Sequence, residues 1–388
     1  YICLRIADFD YEHFRFTDSN NLTIRHYASP IIKKLLLQKN DILIEKSGGG
    51  EKTPVGRTVL FDKEYPALFA NFMDRLRCSD FILPQYLQYV FVTFYKNRYT
   101  QNYIKQTTGI QNLDLSSMLA DEFVPVPNLN EQKLIVCYLE SKCSKIDNLL
   151  SKTRSSIEEY KKLKQAVITQ AVTKGVRGER EMKDSGVEWV GEIPKEWDIL
   201  NLVAHTSMLT PMRDRPENLD GPIPWIRIED FDGKYISSSK ASLGVSKETV
   251  RSMNLKIYPV GTILCTSSCI MGKCAIVSRE LVSNQRFIGI IPDQNTCENF
   301  LYYLMLSNSE RMNYLATGAL QANLSRSSFE HLKVQFPSYQ EQKEISDYLD
   351  TKCAEIDKLI AKKEQLVKEL ESYKKSLIYE VVTGKREV

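Results

Sequence analysis

The side chains that could do chemistry in this sequence lie in short polar clusters that also contain Lys or Arg. Lys and Arg form ion pairs with phosphates, whereas Asn, Gln, Ser and bidentate Arg read the edges of bases. Small residues beside a lysine let the backbone approach a phosphate closely. The clusters comprise Lys46, Ser47, Lys52, Arg57, Gln111 and Asn112, and then Ser267, Ser268, Lys273, Asn284, Gln285, Arg286, Gln321, Asn323 and Arg326. We predict that they contact nucleic acid, and solvated loops are the alternative for any one cluster.

Motifs for catalysis are missing from the sequence. It contains no GxGxxG, GxSxG or HExxH pattern and no Asn-Pro-Pro-aromatic motif. The run Gly48-Gly49-Gly50-Glu51-Lys52-Thr53 has the composition of a phosphate loop, but Glu51 stands where that motif requires Gly. The four histidines are widely dispersed, at His13, His26, His205 and His331. We therefore predict no catalytic residues and favour a binding component over an enzyme.

Composition excludes several classes of protein. The 388 residues allow two to four domains, and 43% hydrophobic with 26% charged residues is ordinary for a globular chain. No apolar run approaches the roughly 18–20 residues of a membrane helix. The net charge of +3 means that a nucleic acid must be held by local basic faces. The nine cysteines, densest at Cys265, Cys269 and Cys274, lack the spacing of a zinc site, so we predict reduced thiols and no metal.

An internal repeat organises the chain. Residues 131–173 and 341–383 align without a gap at an offset of 210, and 17 of the 43 positions are identical. A weaker similarity extends upstream, where Arg5-Ile6 and Asp8-Phe9-Asp10 match Arg227-Ile228 and Asp230-Phe231-Asp232. The repeated unit is therefore a variable globular part followed by a helical part. Residues 176–221, which open the second unit, have no counterpart before Tyr1, so we expect the first globular part to lack its opening segment.

Each helical part carries an apolar stripe with mostly 3, 4 or 7 residue spacing, which predicts a helix about 65 Å long. A narrow stripe on so long a helix needs a partner. We expect the two copies to pack against each other as an antiparallel coiled coil, and dimerisation with another protein is the alternative. Asn128 and Ser338 are predicted to cap the helix starts, and Gly175 and Gly384 suit their ends.

The globular parts are richer in strand signals. Short β-branched or aromatic runs between turn residues predict strands at 55–61, 225–231, 261–267, 274–278 and 286–292. Helical patterns return at 84–104 and 298–315. We therefore predict an α+β protein with two mixed α/β domains separated by two long helices. The predicted divisions are a first globular domain at 1–127, a helical region at 128–175, a second globular domain at 176–337 and a second helical region at 338–388.

Particular residues resemble a known family. One group follows the turn Val172-Thr173-Lys174-Gly175 and comprises Lys183-Asp184-Ser185-Gly186-Val187-Glu188-Trp189, Gly191-Glu192-Ile193-Pro194 and Trp197. A second group opens each helix and comprises Pro127, Glu131, Gln132, Ile135, Tyr138, Leu139, Ile146 and Asp147, with Pro337, Glu341, Gln342, Ile345, Tyr348, Leu349, Ile356 and Asp357. Together they resemble the specificity subunit of type I restriction-modification enzymes, and the resemblance covers the whole chain.

This resemblance implies that each globular domain reads one half of a bipartite double-stranded DNA target. It also implies two modification (methyltransferase) subunits, for which Gln132, Tyr138, Ile146, Gln342, Tyr348 and Ile356 are the candidate docking residues, and additional motor-nuclease restriction subunits. S-adenosylmethionine would belong to the modification subunits, and ATP with Mg would belong to the restriction subunits, with no cofactor in this chain. The expected location is the cytoplasm of a bacterial or archaeal cell. A recognition part of another restriction enzyme type and a coiled-coil adaptor without DNA affinity are the alternatives.

Overall fold

The computed structural model describes residues 1–17, 21–106, 109–211, 214–268, 272–316 and 324–388. The chain divides into two compact units, of which unit 1 comprises Tyr1–Ser155 with Lys363–Val388 and unit 2 comprises Ser156–Lys362. Each of the two long helices contributes residues to both units. Of the residues singled out by sequence, Cys269, Gln321 and Asn323 lie outside the described ranges.

Unit 1 is built around a five-stranded sheet with the strand order β2-β3-β6-β4-β8. The strands of its globular part are β1 Ile2–Leu4, β2 Phe9–Asp10, β3 Arg15–Phe16, β4 Ile42–Glu45, β5 Ser47–Gly48, β6 Thr58–Leu60, β7 Ala67–Phe69, β8 Met73–Leu76, β9 Ile104–Gln106 and β10 Gln111–Leu113. The helices are α1 Ser29–Leu35, α2 Pro84–Lys96 and α3 Leu115–Asp121, followed by the long helix α4 Leu129–Lys174. Short 3-10 turns occupy Ile6–Asp8 and Tyr99–Tyr103.

Unit 2 contains a second five-stranded sheet, with the order β14-β21-β18-β19-β16. Its strands are β11 Met182–Asp184, β12 Glu192–Pro194, β13 Asp198–Asn201, β14 Thr206–Leu209, β15 Ile223–Ile226, β16 Tyr235–Ile236, β17 Gly244–Val245, β18 Ile263–Thr266, β19 Cys274–Val277, β20 Val282–Ser283, β21 Phe287–Pro292 and β22 Lys333–Phe336. The helices are α5 Lys247–Ser252, α6 Glu298–Ser307, α7 Ser309–Leu315, α8 Arg326–Glu330 and the long helix α9 Tyr339–Val382, with 3-10 turns at Leu202–Ala204 and Ile228–Asp230. The α+β class predicted from the sequence is confirmed.

Two predicted helices are shorter than their patterns. The helix predicted over 84–104 ends at Lys96, because Arg98 adopts a left-handed conformation with φ of 66° and the chain continues as a 3-10 turn. The helix predicted over 298–315 is interrupted at Asn308, which ends α6 and precedes α7. The side-chain amide of Asn308 donates to the carbonyl of Leu304 at 2.8 Å, so a local side-chain bond competes with helix continuation at this point.

The antiparallel pairing of α4 and α9 is confirmed within each unit. In unit 1, Asp147 pairs with Lys374 at 2.6 Å and Arg154 pairs with Glu371 at 2.8 Å, so residue numbers fall along α9 as they rise along α4. In unit 2, Lys164 of α4 pairs with Asp357 of α9 at 2.7 Å, and Arg177, just beyond the end of α4, pairs with Glu344 near the start of α9 at 2.8 Å. The apolar seam predicted from the stripe is buried, and in unit 1 it comprises Ile135, Leu139, Cys143, Ile146 and Leu150 of α4 with Leu377, Ile378, Val381 and Val382 of α9.

The predicted helix ends are also confirmed. Asn128 Oδ1 accepts hydrogen bonds from the backbone N–H groups of Asn130 and Glu131 at 3.1 Å, which caps α4. Ser338 Oγ accepts a longer bond of 3.4 Å from the N–H of Glu341. Gly175 and Gly384 follow the helices with φ of 76° and 69°, the left-handed conformation that terminates a helix at glycine. In the described part of the chain, no helix has the length and apolar character required to cross a membrane.

A repeated glutamine joins each long helix to its globular part. Gln132 Nε2 donates to the carbonyls of Phe81 and Pro127 at 3.0 and 2.8 Å, and its Oε1 accepts from the N–H of Leu83 at 2.7 Å. Gln342 makes the matching bonds to the carbonyls of Asn295 and Pro337 at 3.1 and 3.0 Å and to the N–H of Cys297 at 2.7 Å. Leu83 and Cys297 are the residues directly before α2 and α6. Both copies of the repeat therefore use the same three hydrogen bonds to fix a second helix, α2 or α6, against the long helix.

Candidate nucleic-acid interface

Three neighbouring strands of unit 2 end together and carry predicted contact residues. Strand β18 pairs antiparallel with β19 and with β21 in the central sheet. Just beyond the named strands, the N–H of Thr266 donates to the carbonyl of Lys273 and the N–H of Ser267 donates to the carbonyl of Arg286, at 2.9 and 2.8 Å. The pairing therefore places Lys273, Ser267 and Arg286 side by side at one end of the sheet, although they lie up to 19 positions apart in the sequence.

The turn before β21 presents its side chains to solvent. Gln285 and Arg286 are exposed, and so is Lys273 on the adjacent strand end. Asn284 Oδ1 accepts the N–H of Arg286 at 3.0 Å, which closes the turn locally. Asn284 thus has a positioning role in the turn, while Gln285, Arg286 and Lys273 have side chains available to a ligand.

The start of α8 lies at the same end of this sheet. The N–H of Leu324 donates to the carbonyl of Ser267 at 2.9 Å. Arg326 follows two residues later, with its guanidinium paired to Glu330 at 2.6 Å and its side chain 55% exposed. Ser268, by contrast, is buried. Lys273, Ser267, Gln285, Arg286 and Arg326 are therefore brought to one region, which is the candidate interface of unit 2.

Unit 1 assembles its predicted residues through a different small sheet. Strand β10 pairs antiparallel with β5, so that Gln111 is opposite Gly48 and Asn112 is opposite Ser47. Ser47 Oγ donates to Asn112 Oδ1 at 2.7 Å. Gln111 is buried and its Oε1 accepts from the N–H of Val55 at 3.3 Å, which fixes the turn after β5. The cluster predicted from sequence is thus assembled, but Gln111 is committed to holding the turn.

The two lysines of unit 1 that were predicted as contact residues are accessible. Lys52 lies exposed in the turn that follows the glycines. Lys46 is 38% exposed and its Nζ is 3.3 Å from Asp74. An exposed ion pair of this kind contributes about 0–1 kcal/mol, so a phosphate can compete with Asp74 for the lysine.

Arg57 has an internal role in the structure. Its guanidinium forms a bidentate pair with Glu45 at 2.7 and 3.0 Å and lies 3.7 Å from the ring centroid of Tyr11. Burial alone lowers the pKa of Arg57, and the hydrogen bonds and charge of Glu45 outweigh burial, so the pKa is raised. The carboxylate of Glu45 is almost fully buried and depends on this partner. Arg57 therefore belongs to the fold of unit 1 and not to its accessible polar surface.

Backbone hydrogen bonds show which positions correspond between the units. In unit 1, three backbone N–H groups donate to backbone carbonyls at 2.8–2.9 Å. Glu45 donates to the carbonyl of Arg57, Lys46 to that of Phe72, and Leu113 to that of Lys46. In unit 2, the matching bonds join Thr266 to Lys273, Ser267 to Arg286, and Leu324 to Ser267. The structural counterpart of Arg286 is therefore Phe72, and that of Gln285 is Asn71, two exposed residues that sequence reasoning did not select. Strand β8, which follows them, has only four residues, and its two central residues, Asp74 and Arg75, are both charged, so its pattern did not predict a strand.

Comparison with known proteins identifies the family. A family model described as the type I restriction modification DNA specificity domain matches residues 8–159 and again residues 198–369. The chain belongs to this family. The two matches fall on the two copies of the repeat, so each copy is a specificity domain.

Similar specificity subunits occur in archaea and bacteria. The type I restriction enzyme MjaIX specificity subunit of Methanocaldococcus jannaschii is 33% identical over 181 residues, which cover 45% of this chain and 41% of that protein. The matched region thus spans less than half of that relative. The MjaVIII specificity subunit of the same organism is 24% identical over 375 residues, or 91% of this chain and 80% of that protein. The EcoKI specificity subunit of Escherichia coli is 26% identical over 208 residues, or 50% of this chain and 44% of that protein.

Two solved structures share the fold of this chain. A chain from a study of complex assembly and conformational transition of the type I restriction-modification system has a TM-score of 0.77 at 13% identity, covering 100% of this chain and 92% of that chain. The HsdS subunit from Thermoanaerobacter tengcongensis has a TM-score of 0.54 at 13% identity, covering 100% of this chain and 91% of that chain. At this identity the likeness shows the fold.

The predicted docking residues of this specificity-domain protein differ in accessibility. Gln132, Gln342, Ile146 and Ile356 are buried inside their own units. Tyr348 is 40% exposed and Tyr138 is partly exposed. The four buried side chains are therefore not accessible for direct contact, and contact of Tyr138 and Tyr348 with another subunit stays a prediction.

Cysteines and possible metal ligands are the remaining groups that could support chemistry. Cys265 and Cys274 face each other across β18 and β19 and are both buried. Burial raises the pKa of the Cys265 thiol well above its usual range, and the neighbouring Cys274 adds to the effect, so the thiol stays protonated. Within the ranges described, no three His, Cys, Asp or Glu side chains are grouped as a metal site.

Proposed function

We propose that this chain is the DNA-recognition subunit of a type I restriction-modification complex, and that each unit reads one half of a bipartite duplex target. The observation that carries the proposal is the pair of matched strand ends. The same three backbone hydrogen bonds recur in both units, whereas the exposed side chains at those positions differ. A common scaffold with different polar residues is suited to reading two different half-sites, because bases are distinguished by side-chain contacts to their edges.

In this proposal the chemistry belongs to other subunits. Modification subunits would bind S-adenosylmethionine and methylate adenine, and restriction subunits would use ATP and Mg for translocation and cleavage. The names of the relatives, which are all specificity subunits, support this division. Their bacterial and archaeal sources support the cytoplasm of such a cell as the place of action.

Selection from random duplexes tests the proposal. The full chain, purified together with its modification subunit, is incubated with a random duplex library, and the bound DNA is sequenced. We expect enrichment of two short conserved blocks separated by a gap of constant length. Enrichment of a single continuous block, or of none, would contradict bipartite recognition, and the second result would favour an adaptor without DNA affinity.

Substitutions at the strand ends of unit 2 should affect one half-site only. We expect Lys273→Ala or Arg286→Ala to weaken DNA binding, and Gln285→Ala to change base preference by about 1–3 kcal/mol if this side chain contacts a base edge. Competition binding with duplexes altered in one half-site at a time measures both effects. Lys247→Ala, at another exposed lysine of unit 2, is the control for loss of one positive charge. Unchanged affinity and preference in all three variants would move the reading surface elsewhere.

We further propose that the long helices dock the modification subunits through an apolar flank present in each unit. In heptads with Cys143 at position a, most e positions carry charge, as in the pair Arg154–Glu371. Several g positions instead carry apolar residues that are 41–52% exposed, namely Leu149, Leu163, Leu359, Leu366 and Tyr373, whereas others, such as Ser156 and Gln170, are polar. Two of these positions are repeat pairs, Leu149 with Leu359 and Leu163 with Tyr373, at the offset of 210. Equivalent apolar positions in each unit suit two copies of one partner, and we assign them to a helix of the modification subunit.

Charge introduced on this flank should impair assembly. We expect Leu149→Glu with Leu359→Glu to weaken association with the modification subunit by about 100-fold, since two partly exposed leucines contribute roughly 1.5 kcal/mol each when covered. Ser144→Glu with Ala354→Glu, at exposed repeat-related positions of the two helices, adds the same two negative charges and is the matched control. Sedimentation of the mixed subunits over a range of concentrations measures the affinity of association. Equal loss in both variants, or no loss in either, would reject the apolar flank as the docking surface.

A further inference from the structure

We propose that Phe72 is a base-contacting residue of unit 1 and makes an apolar contact with a thymine methyl group in the half-site that this unit reads. The inference rests on the proposed DNA-recognition function and assigns to it a specificity residue. An aromatic side chain at the edge of a major groove can recognise the methyl group of thymine, which none of the other three unmodified DNA bases carries.

Phe72 is held at the tip of a tight turn between β7 and β8. The N–H of Met73 donates to the carbonyl of Ala70 at 3.2 Å and closes the turn. The carbonyl of Phe72 accepts the N–H groups of both Lys46 and Ser47, at 2.9 and 3.1 Å. The backbone is therefore fixed on both sides, while the ring is 54% exposed. A fixed backbone with an exposed ring presents an apolar group in a defined direction at little cost in conformational entropy on binding.

The corresponding turn in unit 2 carries polar residues at the same place. It joins β20 to β21, and its last residue, Arg286, accepts the N–H of Ser267 just as Phe72 accepts that of Lys46. Arginine at such a position pairs with the O6 and N7 acceptors of guanine, whereas phenylalanine offers only an apolar surface. The two turns thus occupy equivalent positions but select different features of a base, as two unlike half-sites require.

The surface around Phe72 is suited to the DNA backbone. A cavity of about 420 Å³ lies beside the turn and is lined in part by Lys34, Lys46, Asn71 and Arg75. Lys34, Lys46 and Arg75 can contact phosphates and so fix the register of a duplex on the sheet end. Arg75 also donates to the carbonyl of Leu36 at 2.8 Å. Asp74 also lines this cavity and neutralises part of the charge through Lys46. Base recognition requires that the DNA backbone be held in a fixed register while an exposed side chain reaches a base, and this surface offers both features.

Phe72 is not needed for the core of unit 1. The buried cluster nearest to it comprises Leu4, Phe9, Phe16, Leu37, Leu43, Val59, Phe61, Ala67, Phe69 and Met73, and Phe72 is neither a member nor one of the partly buried residues packed against it. Truncation of the exposed ring should therefore leave the fold intact. A change in DNA preference in Phe72→Ala can then be attributed to a lost contact.

The experiment combines a protein variant with a base analogue. The full chain with its modification subunit is used to select the bipartite motif, and the affinity of wild type, Phe72→Ala and Phe72→Leu is measured on that motif. Each thymine of the half-site read by unit 1 is then replaced in turn by deoxyuridine, which lacks the methyl group. We expect one deoxyuridine position to weaken wild-type binding roughly tenfold, and Phe72→Ala to show the same loss with no further effect of that base change. Phe72→Leu should retain most of the affinity.

The outcomes separate this inference from the function on which it rests. If wild type selects no bipartite motif, the proposed function fails, and the inference fails with it. If wild type selects the motif and Phe72→Ala binds every form of it as tightly as wild type does, only the inference is overturned. Additive effects of Phe72→Ala and of every deoxyuridine substitution would also overturn it, because the ring would then contact something other than the methyl group. Arg286→Ala is the control, since it should change only the other half-site.

Discussion

Glu341→Ala should lower the free energy of unfolding of unit 2 by about 3–5 kcal/mol, because it removes the centre of a buried ion pair. The carboxylate of Glu341 is 2.6 Å from Arg180 and 3.7 Å from Arg177, and it accepts the indole N–H of Trp197 at 3.0 Å. Trp197 is fully buried and the side chain of Arg180 is only 13% exposed. Removal of the carboxylate leaves the buried indole N–H of Trp197 without an acceptor. Arg180 then keeps only Glu196, whose side chain is exposed, and the carbonyl of Lys174, each at 3.0 Å.

Tryptophan fluorescence can report this effect selectively. The three tryptophans of the chain, Trp189, Trp197 and Trp225, all lie in unit 2. Urea unfolding followed by tryptophan emission therefore measures unit 2, and we expect the midpoint to fall markedly in Glu341→Ala.

The repeat offers a matched control for the same substitution. Glu131 occupies the position of Glu341 in the first copy, at the start of α4, and its side chain is exposed. Glu131→Ala should change stability by less than about 0.5 kcal/mol. Equal effects of the two substitutions would mean that the ion-pair cluster around Glu341 does not stabilise unit 2.

Lys374→Ala should destabilise unit 1 by a similar amount, about 3–5 kcal/mol. Lys374 Nζ pairs with both oxygens of Asp147 at 2.6 and 2.8 Å and donates to the carbonyl of Glu12 at 2.9 Å. Both side chains of the pair are only 10% exposed. Loss of the lysine leaves Asp147 as a buried charge without compensation. Hydrogen exchange of the peptides from 135–155 and 367–382 measures the loss locally, since unit 1 contains no tryptophan.

The second copy contains the same ion pair in a different environment. Lys164 and Asp357 are the repeat counterparts of Lys374 and Asp147, but their side chains are 31% and 55% exposed. Lys164→Ala should therefore cost only about 0–1 kcal/mol. The double variant Asp147→Asn with Lys374→Met should recover much of the stability lost in Lys374→Ala, since no unpaired charge remains. If the double variant does not recover this stability, the loss in Lys374→Ala is caused by the missing shape of the lysine side chain and not by the unpaired charge of Asp147.

Local pattern was enough to predict the long helices and their ends. The apolar stripe of residues 131–173 recurs at 341–383, and a stripe of that period can be buried only on one side of a helix. Asn128 and Gly175 act within one turn of the helix ends, so their role depends on neighbours in the sequence and could be inferred without a structure. Because the stripe occurs twice in the chain, each copy could be predicted to pack against the other.

Strand ends and turns could not be inferred in the same way. Phe72 and Arg286 occupy equivalent positions, but this equivalence depends on hydrogen bonds to Lys46 and Ser267, which lie 26 and 19 residues away. Strand register is determined by pairing between distant segments, and a short strand such as β8 carries too little pattern of its own. Arg57 shows the same limit, since only the fold places it against Glu45.

The sequence by itself determined that this chain is a tandem repeat with two paired helices and two unlike globular domains of the specificity family. Tertiary structure alone decided how the repeated residues are used. Glu341 and Glu131, like Lys374 and Lys164, have the same identity and helical position, yet one of each pair is buried and the other is solvated. The physical reason is that burial depends on which distant segments cover a side chain, and the energy of a charge depends on that cover.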